Sequence, residues 1–251
     1  MAMNGGRIAS WHARGLLAAG LVALAALCVQ RARANDFAVY SPHVVQGQKE
    51  IELRGYDYRD NGTALNGTGA DEMSMAYGVT RWWKTELYAG RFAHGQDGVT
   101  RFAGYEFENT FQFADAGEYW ADPGFVLSYV HNKLPGVHSS AEFGPLFEKW
   151  SGRVMQRLNL IWERQVGGQT SGKYALRTAY SAGYKFQPAL VAGVELYHRP
   201  ADHADQIGPA LSGEWLSAQG RELGYSLAML YGVNRGAPQR TLVFRLEYGF
   251  F

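Results

Sequence analysis

Hydrophobic and polar residues alternate along much of the chain, and the alternation is clearest in the final segment. The apolar positions there are Leu242, Phe244, Leu246, Tyr248 and Phe250, and the positions between them are Val243, Arg245, Glu247 and Gly249. Successive side chains of a β-strand point to opposite faces, so this segment has one apolar and one largely polar face. A strand that separates lipid from the polar lumen of a barrel needs this pattern.

The same period of two recurs in ten earlier segments. It is clear at 72–79, 105–113, 125–129, 154–163, 174–185, 190–196 and 223–233, and weaker at 82–92, 140–148 and 206–216. Pro145 and Pro209 weaken the last two, because proline cannot donate to a sheet ladder. With a first strand at about 47–58 and the last at 241–250, the chain predicts twelve strands. Helical periodicity is absent beyond residue 34.

Short turns and longer polar loops alternate between these segments. Tight turns are predicted at 79–81, 149–152, 186–188 and 218–220, with a longer turn at 114–122; the loops are 60–70, 93–99, 132–139, 166–172, 199–205 and 234–240. Bacterial barrels have short periplasmic turns and long outer loops, so both chain ends are expected in the periplasm. Residues 35–46 lack alternation, and either lead in from the periplasm or tuck into the lumen.

Four tryptophans fall near the predicted periplasmic turns: Trp82, Trp83, Trp120 and Trp150. They fit an aromatic girdle at the membrane–water interface. The alternative is that they are core aromatic residues of a soluble β-sandwich.

The N-terminus predicts export. Arg7 and Arg14 precede an apolar run from Leu16 to Val29, and Ala32-Arg33-Ala34 offers a small-x-small cleavage site. The run is too short to span a membrane as a helix, so we interpret residues 1–34 as a signal peptide and residues 35–251 as one domain. A lipid anchor on Cys28 is the alternative, but Leu27 stands where a small residue is expected. Otherwise the mature chain has no cysteine, which fits an oxidising compartment.

The charge balance excludes one class of partner. Four of the 24 Lys and Arg residues and none of the 23 Asp and Glu residues lie in the predicted signal, so the rest of the chain is slightly acidic. Nucleic-acid binding needs a basic patch, and no such partner is expected. The 31 glycines, the many aromatic residues and the modest hydropathy match a barrel whose strands spend half their residues on a polar lumen.

A chain that ends on an aromatic residue after an alternating strand resembles the C-terminal signature of bacterial outer-membrane β-barrel proteins. The resemblance implies a closed antiparallel up-and-down transmembrane β-barrel, all-β in class, in the outer membrane of a Gram-negative cell. It also implies that the barrel-assembly machinery reads Tyr248, Phe250 and Phe251, although Phe251 stands one residue out of phase. The turns at 79–83 and 186–188 resemble poorly characterised proteobacterial barrels described loosely as transporters, which implies passive passage of a small solute.

Charged residues assigned to the lumen by alternation are the candidate functional set. They are Glu106, Glu108, Arg157, Glu163, Arg177, Lys185, Glu195, Glu214, Arg245 and Glu247. They could line a polar pore and set its selectivity. Alternatively they pair across strands and stiffen a closed barrel, since a charge away from water needs a partner.

Strands eight, ten and eleven carry mostly small inward residues, such as Ser181, Gly183, Ser212 and Ser226. One wall of the lumen is therefore expected to be bulky and charged and the other bare. This asymmetry leaves room for a passage or a ligand.

Two further groups are weighed and set aside. His138 and Ser140 share a strand face, and on the lipid side they would resemble an outer-membrane phospholipase, but the Asn-Gly that follows the serine in that family is absent. The loop from His198 to Asp205 holds two His and two Asp residues in no recognised metal-binding spacing, so a polar turn is the simpler interpretation. No enzymatic activity, cofactor or metal is expected. The alternatives to solute passage are an outer-membrane lipid hydrolase and a non-conducting structural or assembly barrel.

Overall fold

The computed structural model describes residues 37–168, 170–217 and 219–251. The predicted signal peptide (1–34), with Cys28, and the turn residue Ala218 lie outside the described residues. Twelve antiparallel strands form one closed barrel in which β1 pairs with β12. The strands are β1 (Lys49–Arg59), β2 (Gly69–Thr80), β3 (Trp83–His94), β4 (Thr100–Gln112), β5 (Asp122–Asn132), β6 (Ser139–Ser151), β7 (Val154–Val166), β8 (Tyr174–Gln187), β9 (Leu190–Arg199), β10 (Ala204–Leu216), β11 (Glu222–Gly232) and β12 (Arg240–Phe250).

The predicted fold class and strand number are confirmed. Each strand joins its neighbour in sequence, so the topology is up-and-down throughout. The outer surface is apolar: Leu227, Leu246 and Phe107 are among many large hydrophobic side chains left exposed on it. The inner surface buries charged and small residues. Lipid requires this inversion of the usual soluble pattern, because apolar atoms face the hydrocarbon and closure leaves no unpaired strand edge.

Helices contribute little to the structure. A turn of 3-10 helix at Pro200–Asp202 ends at His203 in the left-handed conformation. In the described part of the chain no helix has the length and apolar character needed to cross a membrane.

The two segments that contain proline are strands, and in both the proline follows a glycine at a break in the pairing. In β6 the pairing with β7 skips Gly144 and Pro145, and in β10 the pairing with β11 skips Gly208 and Pro209. A Cβ on Gly144 would lie 1.8 Å from a carbonyl oxygen of the neighbouring strand, and one on Gly208 would lie 1.9 Å away. Glycine therefore allows a close approach of the backbones where proline interrupts the ladder.

Turns at one end of the barrel are short, and loops at the other end are longer, as predicted. β2 and β3 are joined by residues 81–82, β6 and β7 by 152–153, and β8 and β9 by 188–189. The longer turn is 113–121. We assign the short-turn end, where β1 begins and β12 ends, to the periplasm. Trp82, Trp120 and Trp150 are exposed at this end, and Trp83 is partly buried, as interfacial aromatics would be.

The sequence left the position of residues 35–46 open, and the structure places the described part of that segment inside the barrel. Residues 37–46, called the lumen segment below, enter from the periplasmic end ahead of β1. Phe37 and Tyr40 are buried at 6 % and 7 % exposure. Tyr40 packs with Val126, Leu146 and Ile161 from the lumen wall.

Closure predicts heat-modifiable migration on detergent gels. Every strand of a closed barrel has two partners, so the folded form should resist detergent until it is heated. We expect unboiled protein to migrate differently from boiled protein. Identical mobility, together with full solubility in buffer without detergent, would contradict the transmembrane barrel.

Candidate functional site

The lumen segment is held at its centre by one buried asparagine. The Tyr40 amide donates to Oδ1 of Asn159 at 2.7 Å, and Nδ2 of Asn159 donates to the Tyr40 carbonyl at 3.0 Å. Asn159 lies on β7 and is fully buried. Its side-chain amide thus satisfies both backbone polar groups of Tyr40, as a neighbouring strand would.

An aromatic cluster surrounds Phe37 inside the barrel. The ring of Phe37 contacts Tyr56, Tyr58 and Tyr197 edge-on, with centroid distances of 5.0, 6.0 and 5.2 Å. The Tyr197 hydroxyl donates to the Glu195 carboxylate at 2.8 Å and lies 3.1 Å from the Phe37 carbonyl oxygen. Leu230 and Val243 complete the buried cluster. Because Tyr56 and Tyr58 lie late in β1, the cluster is in the outer half of the barrel.

Polar contacts fix the periplasmic half of the lumen segment. The Ser41 hydroxyl donates to Glu148 at 2.8 Å, and the Val44 amide donates to Oε1 of Gln112 at 2.8 Å. Nε2 of His43 lies 3.3 Å from Asp122 and 3.4 Å from Glu148. The segment is therefore anchored to β4, β5, β6 and β7 along its length.

The His43 contacts predict a pH dependence. The hydrogen bond to the Glu148 carboxylate raises the pKa of His43, with a further contribution from Asp122, against burial and Arg157, which lower it. The protonated ring therefore favours the docked segment, and this contribution is lost as pH rises through the raised pKa. We expect conductance to increase as pH rises above about 6.5, the ordinary pKa of histidine. His43→Gln should abolish that pH dependence, and an unchanged pH profile in the variant would remove His43 from the contact.

A lattice of buried charges fills one side of the lumen. Arg54 on β1 donates to Glu72 on β2 at 2.9 Å, and Arg91 on β3 donates to the same carboxylate at 2.5 Å. Glu106 on β4 lies 4.0 Å from Arg54 and 3.9 Å from Arg91. Arg54 also lies over the ring of Tyr88 at 4.2 Å. Shared partners of this kind offset the cost of burying each charge.

The ten charged residues predicted for the lumen all stand at inward positions of the alternation, but in different surroundings. Several of the ten form ion pairs. The pairs are Arg157 with Glu148 (2.7 Å), Arg177 with Glu142 (3.1 Å), Lys185 with Glu214 (3.4 Å), and Arg245 with Glu52 (2.5 Å) and Glu247 (2.6 Å). Glu106 and Glu108 are buried at 0 % and 2 % exposure, while Glu163 is partly buried. The lattice supports the pairing interpretation of these charges for most of the set.

Sequence reasoning missed several residues of the lattice. Glu72 and Glu142 follow the same alternation and could have been included on that signal alone. Arg91 could not, because a bulge between Met73 and Ser74 of β2 and their β3 partners leaves one extra residue before it. The bulge shifts Arg91 to the inner face, out of phase with Tyr88.

A cavity of about 420 Å³ lies by His43, Trp120 and Trp150 at the periplasmic end. Two further, adjoining cavities lie beside the lumen segment: the larger of the two, about 370 Å³, opens at the periplasmic end, and the smaller, about 80 Å³, lies farther in. Both are lined by Ser212 and Ser226 of the bare wall, together with Arg157 and Arg245. The smaller cavity therefore lies along the bare wall, while the larger one reaches the charged wall as well.

The two groups set aside as catalytic or metal-binding have structural explanations. Ser140 is fully buried on the inner side of β6, so a lipid-facing His–Ser pair is wrong. In the outer loop, Nδ1 of His198 contacts Asp205 at 2.7 Å, and Asn234 donates to the same carboxylate at 2.9 Å. Among the described residues no group of three or more His, Cys, Asp or Glu side chains is arranged to hold a metal ion.

Comparison with solved structures gives the class of fold. The barrel is similar to a COG4313 outer-membrane channel from Pseudomonas putida F1, with a TM-score of 0.51 and 12 % identity over 85 % of this chain and 98 % of that one. A likeness at this identity concerns the fold, and it supports an outer-membrane type of barrel.

Two further likenesses are too distant to carry weight. A bacterial polysaccharide outer-membrane secretin gives a TM-score of 0.39 with 10 % identity, over 82 % of this chain and 99 % of that one. OmpF of Salmonella typhi gives 0.36 with 6 % identity, over 85 % and 100 %. No protein-family model matches the sequence, and no curated protein is significantly similar to it.

Proposed function

We propose that this protein is an outer-membrane barrel that allows passive passage of a small solute along the bare wall of its lumen. The observation that carries the proposal is the pair of adjoining cavities lined by Ser212 and Ser226. They run beside the lumen segment from the periplasmic mouth toward the Phe37 cluster. The ten charged residues named above form the polar surroundings of that path.

The Phe37 cluster stands at the outer end of this path, so we infer that passage requires the lumen segment to move. Its anchors are a few hydrogen bonds and one aromatic cluster, which are weak compared with the twelve-stranded ladder around them. The segment can therefore undock while the barrel stays intact. No substrate is specified by the fold.

A non-conducting structural barrel is the second candidate, and the Phe37 cluster and the paired charges favour it. Single-channel recording in planar bilayers separates the two. We expect brief openings of the wild-type protein and larger, sustained currents when residues 37–46 are deleted. A silent wild type together with a silent deletion variant would overturn solute passage.

The proposal also includes two partners of the barrel, which are suggested by its outer surface and its last strand. Membrane lipid would cover the apolar outer face, and the assembly machinery would read Tyr248, Phe250 and Phe251. Tyr248 and Phe250 stack at a centroid distance of 5.7 Å, and Phe251 is exposed.

A further inference from the structure

The larger of the two adjoining cavities is acidic, and its basic residues are already engaged. Seven glutamates and four Lys or Arg side chains line it, together with His43. Lys84 contacts Glu50 at 2.8 Å, and the other three basic residues, Arg157, Lys185 and Arg245, contact glutamates as described above. A cation that enters from the periplasmic mouth therefore meets an excess of negative charge.

Glu108 lines this cavity and has a carboxylate oxygen whose hydrogen-bonding capacity is not satisfied within the described part of the chain. It is 2 % exposed, and its Oε2 atom is buried with no hydrogen-bond partner among the described residues. Its neighbour Glu106, two positions away on the same face, is instead held near Arg54 and Arg91. An unsatisfied buried carboxylate oxygen is unfavourable, so its presence on a residue that lines the cavity points to a ligand.

A second carboxylate stands directly opposite. Glu86 on β3 pairs in register with Glu108 on β4, and like charges in that position destabilise a sheet. Glu86 accepts a hydrogen bond from Ser74 and lies 3.8 Å from Lys84. Thr110, two positions from Glu108 on the same face of β4, and Tyr40 also line the cavity. Carboxylate and hydroxyl side chains therefore both contribute to its wall.

The chemistry of this group fits an organic cation better than a metal ion. The described side chains hold no cluster of three or more His, Cys, Asp or Glu residues suited to a metal. A primary ammonium group needs fewer fixed ligands, because its three N–H donors can each take one oxygen. The volume of about 370 Å³ is in the range that accepts a small organic molecule.

We infer that Glu108, with Glu86 opposite it, forms a binding site for a small solute that carries a primary ammonium group. Charge-assisted hydrogen bonds from the ammonium to the two carboxylates would satisfy Glu108 and separate the like charges. The inference deepens the proposed function, on which it rests, by naming the class of solute. Glu108 is then the residue that sets the preference for it.

The test is equilibrium binding of n-butylammonium to the folded full-length barrel in detergent, measured by calorimetry. We expect saturable binding to the wild type and at least tenfold weaker binding to Glu108→Gln, which keeps the size of the side chain. Tetramethylammonium has the same charge without N–H donors and should bind at least tenfold more weakly than n-butylammonium. Heat-modifiable migration confirms that each variant is folded.

Glu222→Gln is the matched control, because Glu222 lines the same cavity on the opposite wall. Its affinity for n-butylammonium should fall less than twofold. Equal losses of affinity in both variants would show only a general effect of charge and would overturn the site. Unchanged affinity of Glu108→Gln for n-butylammonium would also overturn it. So would binding of tetramethylammonium to the wild type as tightly as n-butylammonium. No binding to the wild type, as expected if the two glutamates share a proton instead, would also overturn it.

Binding and conductance separate the two proposals. A barrel that binds n-butylammonium but never conducts retains the site and loses solute passage. A conducting barrel that does not bind n-butylammonium retains solute passage and loses the site.

Discussion

Leu227→Arg is expected to reduce the yield of folded barrel in lipid sharply. Leu227 lies near the middle of β11, is 44 % exposed on the outer face, and pairs in register with Leu211 and Phe244 on the neighbouring strands. An arginine on the lipid face near the bilayer midplane costs about 2–4 kcal/mol. That loss is a substantial part of the roughly 5–15 kcal/mol by which folded proteins are typically stable, so less folded barrel should form.

Ser226→Arg is the matched control, one residue away and on the other face. Ser226 lines both lumen cavities, where water and glutamates can solvate the new side chain. Its folding yield, measured by heat-modifiable migration after refolding into vesicles, should remain close to that of the wild type. Equal yields for the two variants, or the reverse order, would show that the two faces of β11 are assigned wrongly.

The sequence predicts the wall of this barrel well because one physical rule governs it. Lipid outside and polar groups inside impose a period of two on every strand, and the rule needs no knowledge of distant contacts. Even β6 and β10 obey it, although Pro145 and Pro209 interrupt their ladders. The ten lumen charges were found on this rule, and all ten occupy inward positions.

The interior is less predictable because partners there depend on register across several strands. Glu106 and Glu108 have the same sequence signal, yet Glu106 meets two arginines while one oxygen of Glu108 meets no hydrogen-bond partner among the described residues. Arg91 is hidden from the alternation by a bulge. The lumen segment has no periodicity, because its side chains contact different walls in turn rather than two faces of a sheet.

The strands of the barrel are held together more strongly than the lumen segment is held inside it, and this difference determines how such a barrel could open. The strands are held by continuous ladders, whereas the segment is held by single contacts to separate strands. Asn159 makes the most specific of these contacts, since it pairs with both backbone groups of Tyr40. Changing that one side chain should therefore affect the segment before it affects the barrel.

Asn159→Asp is expected to release the lumen segment and raise conductance several-fold. The aspartate keeps the size of the side chain and the acceptor for the Tyr40 amide, but it replaces Nδ2 with an oxygen that faces the Tyr40 carbonyl. A donated hydrogen bond of 3.0 Å becomes a contact between two acceptors. Loss of a buried hydrogen bond with its partner left unsatisfied costs about 1–3 kcal/mol. That is enough to lower the ratio of closed to open forms roughly 5- to 150-fold.

Single-channel recordings of Asn159→Asp should approach those of the variant lacking residues 37–46, which sets the fully open limit. Asn109→Asp is the matched control, because Asn109 lies at an outward-facing position of β4 and accepts a hydrogen bond from Trp83 at 3.0 Å, away from the lumen segment. It makes the same chemical change and should conduct as the wild type does. If Asn159→Asp stays closed while the deletion variant conducts, Asn159 does not control opening, and the other contacts of the lumen segment are sufficient to hold it.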